Sequence, residues 1–447
     1  MKLKSRHLCT LAFAGMVTAP ATVLATNGYF AIGYGAGSVG MGGVSVTTPQ
    51  DALCVGGNPA CLSEFISPRF DMGVGIFVPI RRAAVSGLGG PNDPTNTWSG
   101  SNIFLVPGMG FVWPFTEKLS LGFAAIGNGG MNTTYGPNFF NISDQPASRT
   151  KYVGVDMVQL LVPITVAYKF NDTNTVGFSA VPARQRFRAT GVGDQAFLLK
   201  SSDQDHVSDK GHDYANGFGA RIGWTGKYLD NKLTLGATYA SKVYMQKFEL
   251  YRGLFAEQGD FDIPENYAVG IAVKPLKNLT VAFDYEKILY SGIASVSNLG
   301  PTRIHGTNDA FNSNSLGLDN GLGFGWDDQT VYKLGLVYQN ALPSWFGDKL
   351  TLRAGYNYGK SPIKESQLLL NLIAPGVVEH HVTFGLTYSL GDQSIFGFGS
   401  EGAITLAYQH AFSKTQRSVV NLFGGGPIAV EAQMYQDALD IAYTLKF

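Results

Sequence analysis

The last nine residues, Leu439 to Phe447, read LDIAYTLKF. Leu439, Ile441, Tyr443, Leu445 and Phe447 share one face of an extended chain, and Asp440, Ala442, Thr444 and Lys446 share the other. That is period two, the repeat of a strand with one apolar and one polar face. The pattern recurs upstream. In RFDMGVGIFVPI, Phe70, Met72, Val74, Ile76, Val78 and Ile80 alternate with small or polar residues. LTVAFDYEK and VTFGLTYSL repeat it at 279–287 and 382–390. About fourteen such segments are legible, at 68–86, 101–115, 119–135, 152–170, 174–190, 214–228, 231–249, 265–274, 278–294, 328–340, 348–361, 378–391, 401–411 and 433–447. Most supply the roughly 9–11 residues that a tilted strand needs to cross a bilayer. An even number of them suits a closed cylinder, which leaves no unpaired edge for lipid to fail to hydrate.

Two further observations favour a membrane barrel over a secreted all-β protein. Charged residues make up only 15% of the chain and hydrophobic ones 45%, with 56 glycines and 12% aromatics; soluble domains carry roughly 25% charge. Connection lengths also alternate. Short turns at 116–118, 171–173, 229–231 and 275–278 alternate with long connections near 86–100, 136–151, 191–213, 249–264, 295–327, 361–377 and 412–432. Short periplasmic turns and long external loops are the rule for outer-membrane barrels. The connection at 392–400 is longer than that rule allows. With 33 basic and 33 acidic residues the net charge is zero, so no nucleic-acid partner is expected.

The chain opens MKLKSRHLCTLAFAGMVTAPATVLATNGYF. Lys2, Lys4 and Arg6 precede an apolar stretch to Leu24, and Val23-Leu24-Ala25 fits small-x-small cleavage. Residues 1–25 therefore read as a signal peptide; Pro20 and the small residues weaken the alternative of a retained anchor. Cys9 lies too early for a lipoprotein cysteine. Export permits a Cys54–Cys61 disulfide. The division expected is a signal peptide at 1–25, a plug at 26–64 and an all-β transmembrane barrel at 65–447. The setting is the outer membrane of a Gram-negative cell, with its lipid and lipopolysaccharide. The terminal Phe447 resembles the signal read by the barrel-assembly machinery, and the barrel is expected to be a monomer.

Several motifs do not carry chemistry. Gly35-x-Gly37-x-x-Gly40 matches the dinucleotide fingerprint formally, but no strand precedes it and no helix follows. A compact Gly-rich plug is the better reading. The acidic loop DQDHVSDKGHD at 203–213 lacks the closing glutamate of a calcium loop. His380-His381 has no carboxylate or cysteine at metal-ligand spacing beyond Glu379. No nucleophile motif is present. A non-enzyme without cofactor or metal is expected.

At DALCVGGNPACL, residues 51–62, the chain resembles the FadL-type family, which carries long-chain fatty acids and aromatic hydrocarbons across the outer membrane. GYGAGSVGMGGVSV before it is similar to the family's N-terminal hatch, and DIPENYAVGIAVKP and GWDDQTVYKLGLVYQ resemble later strands. The resemblance implies fourteen strands around a hatch, and passive uptake of a hydrophobic small molecule. It implies capture on the third and fourth external loops, which here hold Phe197, Leu198 and Leu199, then Leu250, Tyr251, Leu254 and Phe255. Loop 361–377 adds a further apolar cluster from Leu368 to Ile373. The family's exit is a kinked third strand, matched here by Gly127, Asn128, Gly129 and Gly130, against which Asn58, Pro59 and Ala60 are expected to rest. The Cys54–Cys61 pair departs from the family pattern and would clip that turn. The family's carboxylate-binding arginine falls near Arg184, with Arg186 and Arg188 beside it; facing inward there would need a bulge near Pro182. Asp284, Glu286, Lys333 and Arg353 read as luminal ion pairs. A non-specific porin or an adhesin are the alternatives; the first would lack the plug and the apolar loops, the second would carry larger, more polar loops.

Overall fold

The computed structural model describes residues 27–141, 150–193, 201–395, 398–422 and 425–447; the expected signal peptide lies outside them. The strands run in chain order as β1 (Arg69–Ser86), β2 (Thr95–Trp98 and Phe104–Pro114), β3 (Leu119–Asn132), β4 (Gly154–Leu161 and Ile164–Lys169), β5 (Asn174–Thr190), β6 (Asp213–Tyr228) and β7 (Leu233–Ala240 and Tyr244–Met245). Then come β8 (Asn266–Leu276), β9 (Leu279–Ile288), β10 (Gln329–Tyr338), β11 (Leu350–Gly359), β12 (His380–Ile395), β13 (Phe398–Leu422) and β14 (Pro427–Lys446). Each pairs antiparallel with its neighbours, and β1 pairs with β14 from Arg69↔Lys446 to Ser86↔Ala429, which closes the cylinder. The structure is a closed antiparallel barrel of fourteen strands. Strand β4 breaks at Val162-Pro163, where a proline cannot donate to the ladder.

The alternation read from the sequence sets which side chain meets lipid. Phe178, Ile222, Val269, Ile271, Phe384, Leu439 and Ile441 are exposed on the outer face. Their neighbours Ser179, Arg221, Ala268, Ala272, Thr383, Ala438 and Asp440 are buried in the lumen.

Two boundaries differ from the sequence reading. The β12–β13 ladder continues to Ile395↔Phe398, so most of 392–400 is paired strand. Residues 412–422 and 427–432, expected as loop, extend the β13–β14 ladder to Asn421↔Pro427. A register shift between Ala411 and Lys414 inverts the alternation there. Beyond the bilayer there is also no lipid to demand an apolar face, so the stretch reads as polar loop.

Residues 27–64 run through the lumen. A helical turn, Ala36–Val39, and two 3-10 turns, Ala52–Gly56 and Pro59–Glu64, are almost wholly buried. Luminal side chains of the wall hold this segment by its backbone. Asp284 accepts from the Ser45 and Val46 amides at 2.8 and 3.0 Å. Asp71 accepts from Ala52 at 2.8 Å. Lys333 pairs with Glu286 at 2.8 Å and donates to the Ile32 carbonyl at 2.9 Å. Arg353 donates to Gln50 and Thr387, each at 2.7 Å. The charges expected to pair across the barrel thus mainly grip the luminal segment.

Candidate functional site

The glycines of β3 mark a break in the barrel wall. β3 pairs with β2 from Pro114↔Ser120 only as far as Met109↔Ala125. Beyond that rung, Phe104–Gly108 stay paired with β1, while Ile126–Asn132 pair with β4 across a register shift between Gly127 and Gly129. The two strands part, leaving a gap in the ladder that is bridged again above by Gly100 N–H donating to the Thr134 carbonyl at 2.7 Å. Broken strands of this kind recur at functional places in barrels.

The start of the luminal segment fills the gap. Phe30 bridges Gly129, Gly130 N–H donates to the Tyr29 carbonyl at 3.0 Å, and Ala31 N–H donates to the Asn128 carbonyl at 2.9 Å. The Asn128 side chain accepts from Tyr34 at 2.6 Å and donates to Gln159 at 2.9 Å. Gly129 is required by this approach: a Cβ there would overlap the Tyr29 carbonyl oxygen.

Asn58, Pro59 and Ala60 lie elsewhere, which corrects the expectation that they rest on the kink. Asn58 donates to the carbonyls of Val46 (2.8 Å) and Trp224 (3.1 Å), and accepts from Ala60 at 3.0 Å. A side chain at Gly177 would overlap Pro59, and one at Gly223 would overlap Asn58. The triplet therefore seats on β5 and β6. The misassignment arose because two glycine-lined seats exist and the sequence does not say which part of the segment takes which. Cys54 and Cys61 are disulfide-bonded and buried, one on each 3-10 turn flanking Asn58.

An apolar pocket lies above, among the external loops. Phe140, Val155, Phe187, Val192, Leu254, Phe255, Leu316, Leu322, Phe324, Leu370 and Ile373 line it almost without polar surface, around a free volume of about 40 Å³. Aromatic rings connect it to the gap. Phe255 lies 4.9 Å from Phe261, which lies 6.0 Å from Tyr29; Phe324 lies 6.3 Å from Trp326, which lies 5.7 Å from Tyr29.

The loop residues expected to capture cargo turn inward. Tyr251 and Phe255 are buried, and Leu250 and Leu254 are half-buried. Phe187 reaches in from β5 and packs Tyr251 and Phe255 at 4.8 and 4.6 Å, so the rings turn inward onto the strand. Phe197, Leu198 and Leu199 lie outside the described residues. Leu368, Leu369, Leu372 and Ile373 are buried in the same cluster.

The arginines of β5 do not enter the lumen. Pairing with β6 runs unbroken through Pro182, without the bulge an inward turn would need. Arg184 and Arg188 are exposed, and Arg184 covers the Tyr214 ring at 5.0 Å. Arg186 is half-buried and paired with Asp156 at 3.1 Å. Their inward neighbours are Ala183, Gln185 and Phe187. Among the described residues no acidic, histidine and cysteine cluster could hold a metal.

Solved structures share this architecture. The Pseudomonas putida toluene transporter TodX matches with a TM-score of 0.66 and 19% identity over 93% of this chain and 99% of that one. A Pseudomonas aeruginosa FadL homologue matches with a TM-score of 0.66 and 15% identity, over 93% and 99% of the two chains. The Ralstonia pickettii toluene transporter TbuX gives 0.62 and 20%, again over 93% and 99%. No curated protein sequence matches. The family described as outer membrane protein transport protein (OMPP1/FadL/TodX) matches residues 14–415. With a closed fourteen-strand barrel and a sequence match over most of its length, the chain belongs to the FadL/TodX family of outer-membrane transport proteins.

Proposed function

We propose that the protein takes up hydrophobic small molecules passively, through the apolar pocket and out sideways through the gap between β2 and β3, with residues 26–64 as its hatch. The observation that carries this is the gap itself, covered by Tyr29–Ala31, which two backbone hydrogen bonds tie to β3. A hydrophobic solute gains about 0.8 kcal/mol for each methylene removed from water. A route that goes from apolar pocket to aromatic rings to lipid never returns it to water, whereas a straight water-filled pore would.

The pocket must open to accept cargo. An apolar cavity of about 150 Å³ holds benzene, and this one offers about 40 Å³. A solute wedged among Phe255, Phe324 and Phe261 can replace the ring contacts that hold Tyr29, so filling the pocket loosens the stopper. The test is uptake of radiolabelled toluene, hexadecane and oleate by cells with and without the protein, and with Leu254→Asp. The variant keeps heat-modifiable gel mobility but loses most uptake. Wild-type cells no faster than cells lacking the protein, for all three compounds, would end this reading.

A further inference from the structure

The outward face of β5 changes character once along its length. From its short turn upward it presents Val176, Phe178, Ala180 and Pro182, and then Arg184, Arg186 and Arg188. Val176 and Phe178 are exposed in the manner of lipid-facing residues, and Arg184 and Arg188 are exposed beyond them. The apolar band of an outer-membrane barrel is about 25 Å tall, and a strand tilted by about 40° crosses it in about ten residues. Counted from Asn174, where β5 leaves the turn, the tenth residue is Ala183. Arg184 is therefore the first outward residue at the level of the outer headgroups. The column that it starts runs about 13 Å further along the strand to Arg188.

The neighbouring strands place the boundary at the same height. Pro182 faces Phe218 on β6, and Phe218 faces Tyr244 on β7. Phe218, Ile222, Tyr214 and Tyr244 are all exposed. Tyrosines gather where a bilayer meets water, and here they stand where the apolar wall ends and the arginines begin. Across the two ladders Arg184 faces Leu160 and Asn216, Arg186 faces Val158 and Tyr214, and Arg188 faces Asp156.

The column carries more positive charge than the protein offsets. Arg186 pairs with Asp156 at 3.1 Å, and His212 takes the same carboxylate at 2.9 Å. Arg184 lies over the Tyr214 ring at 5.0 Å. Among the described residues neither Arg184 nor Arg188 has an acidic partner. Guanidinium groups two residues apart on one face of a strand start about 7 Å from one another and repel. By contrast, Arg82 and Arg417, at the external ends of β1 and β13, both reach Glu431. An uncompensated cationic column at headgroup height, continuous with a lipid-facing apolar wall, is complementary to one kind of molecule: a lipid with phosphates on its head. Phosphate accepts the guanidinium fork in a bidentate fashion, and the acyl chains below it meet Phe178, Phe218 and Ile222. A water-soluble phosphate compound would gain nothing from that apolar half.

We propose that Arg184, Arg186 and Arg188 form a docking site on the outer wall for the phosphates of a lipopolysaccharide molecule of the outer leaflet, with its acyl chains against Phe178, Phe218 and Ile222. The site lies outside the barrel and does not depend on the route that cargo takes.

The test is native mass spectrometry of the full-length protein in detergent, titrated with diphosphoryl lipid A and with the same lipid stripped of its phosphates. Wild type binds the diphosphoryl lipid about tenfold more tightly or better, and excess inorganic phosphate does not displace it. Arg184→Gln together with Arg188→Gln, which leaves the Arg186–Asp156 pair in place, weakens the diphosphoryl lipid about tenfold and leaves the stripped lipid unchanged. Lysine at the same two positions recovers part of the loss, since it restores charge without the planar fork. Arg82→Gln with Arg417→Gln is the control and changes neither lipid. Equal affinity of wild type for the two lipids would overturn the site, as would unchanged binding by the Arg184/Arg188 variant of normal heat-modifiable mobility. Displacement by inorganic phosphate would make it an anion site without a lipid and overturn it too. An equal loss in the control would reduce it to diffuse attraction by the whole rim.

Discussion

Replacing Gly129 with alanine should unseat the stopper while leaving the barrel intact. The added Cβ would lie 2.7 Å from the Tyr29 carbonyl carbon and 3.2 Å from Phe30 Cα, besides overlapping the Tyr29 oxygen. Carbon atoms rest at roughly 3.5–4.0 Å, so the Tyr29 peptide must retreat by about 1 Å. Gly129 does not need a left-handed backbone, so alanine is tolerated by β3 itself and the strain falls on the partner. Retreat breaks the Gly130–Tyr29 and Ala31–Asn128 hydrogen bonds. At about 1 kcal/mol each, the net loss is about 2 kcal/mol, or about thirtyfold in the opening equilibrium. Amide exchange read by mass spectrometry should show loss of protection at Ala31 and Gly130 with β8–β12 unchanged. Uptake of toluene should rise. Gly100→Ala is the control, because its nearest neighbour would be the Thr134 oxygen at an ordinary 3.7 Å. Full protection at Ala31 in Gly129→Ala, or equal loss in Gly100→Ala, would refute the reasoning.

Asn58→Ala removes one hydrogen bond to β6 and two within the luminal segment, to Val46 and from Ala60, and should loosen these turns by about 2–3 kcal/mol in all, seen as faster exchange across Val44–Ala60 with unchanged barrel mobility. Replacing Cys54 and Cys61 with serine should leave the barrel folded and loosen the same turns, since closing so short a loop is worth roughly 2–3 kcal/mol; intact mass after alkylation without reductant must show no free thiol in wild type. Burial first, then the nearby Asp262 and Glu257, push the Asp260 carboxyl in the β7–β8 loop up to about 6. A carboxyl raised in the folded state stabilises fully below its unfolded value and loses that contribution as pH rises through about 6. Exchange in loop 246–265, corrected for intrinsic rate, should therefore be slower at pH 4.5 than at pH 7, and Asp260→Asn should reduce the difference, the rest coming from Asp262, whose carboxyl burial also pushes up.

The barrel was legible because lipid enforces period two wherever it touches the chain. Phe178 and Ile222 face it and Ser179 and Arg221 do not, and nothing non-local is needed to read that. The same logic explains the failure at 412–432, where strands leave the bilayer and a register shift scrambles the face. The kink was legible as glycines inside a strand, but its partner was not. Gly129 admits Tyr29, Gly177 admits Pro59 and Gly223 admits Asn58, and a missing Cβ carries no label for what fills its space.

The two seats also differ in strength, and the difference decides which part of the hatch can move. From Ile32 to Ala60 the segment is gripped at many points: by Lys333 at Ile32, Thr383 and Asn357 at Gly42, Asp284 at Ser45 and Val46, Asp71 at Ala52, Arg221 at Gly57 and β6 at Asn58. Most of those partners are buried, and several are charged, so each bond is stronger than a neutral surface one. Tyr29–Ala31 has two backbone bonds to β3, a long bond from Tyr29 N–H to the Tyr290 hydroxyl at 3.3 Å, and aromatic contacts. Aromatic contacts are what a hydrophobic solute can replace without loss. Local opening follows the weakest cooperative unit. On the proposed route, a bound solute would free Tyr29–Ala31 first and leave the more densely bonded stretch from Ile32 to Ala60 in the lumen.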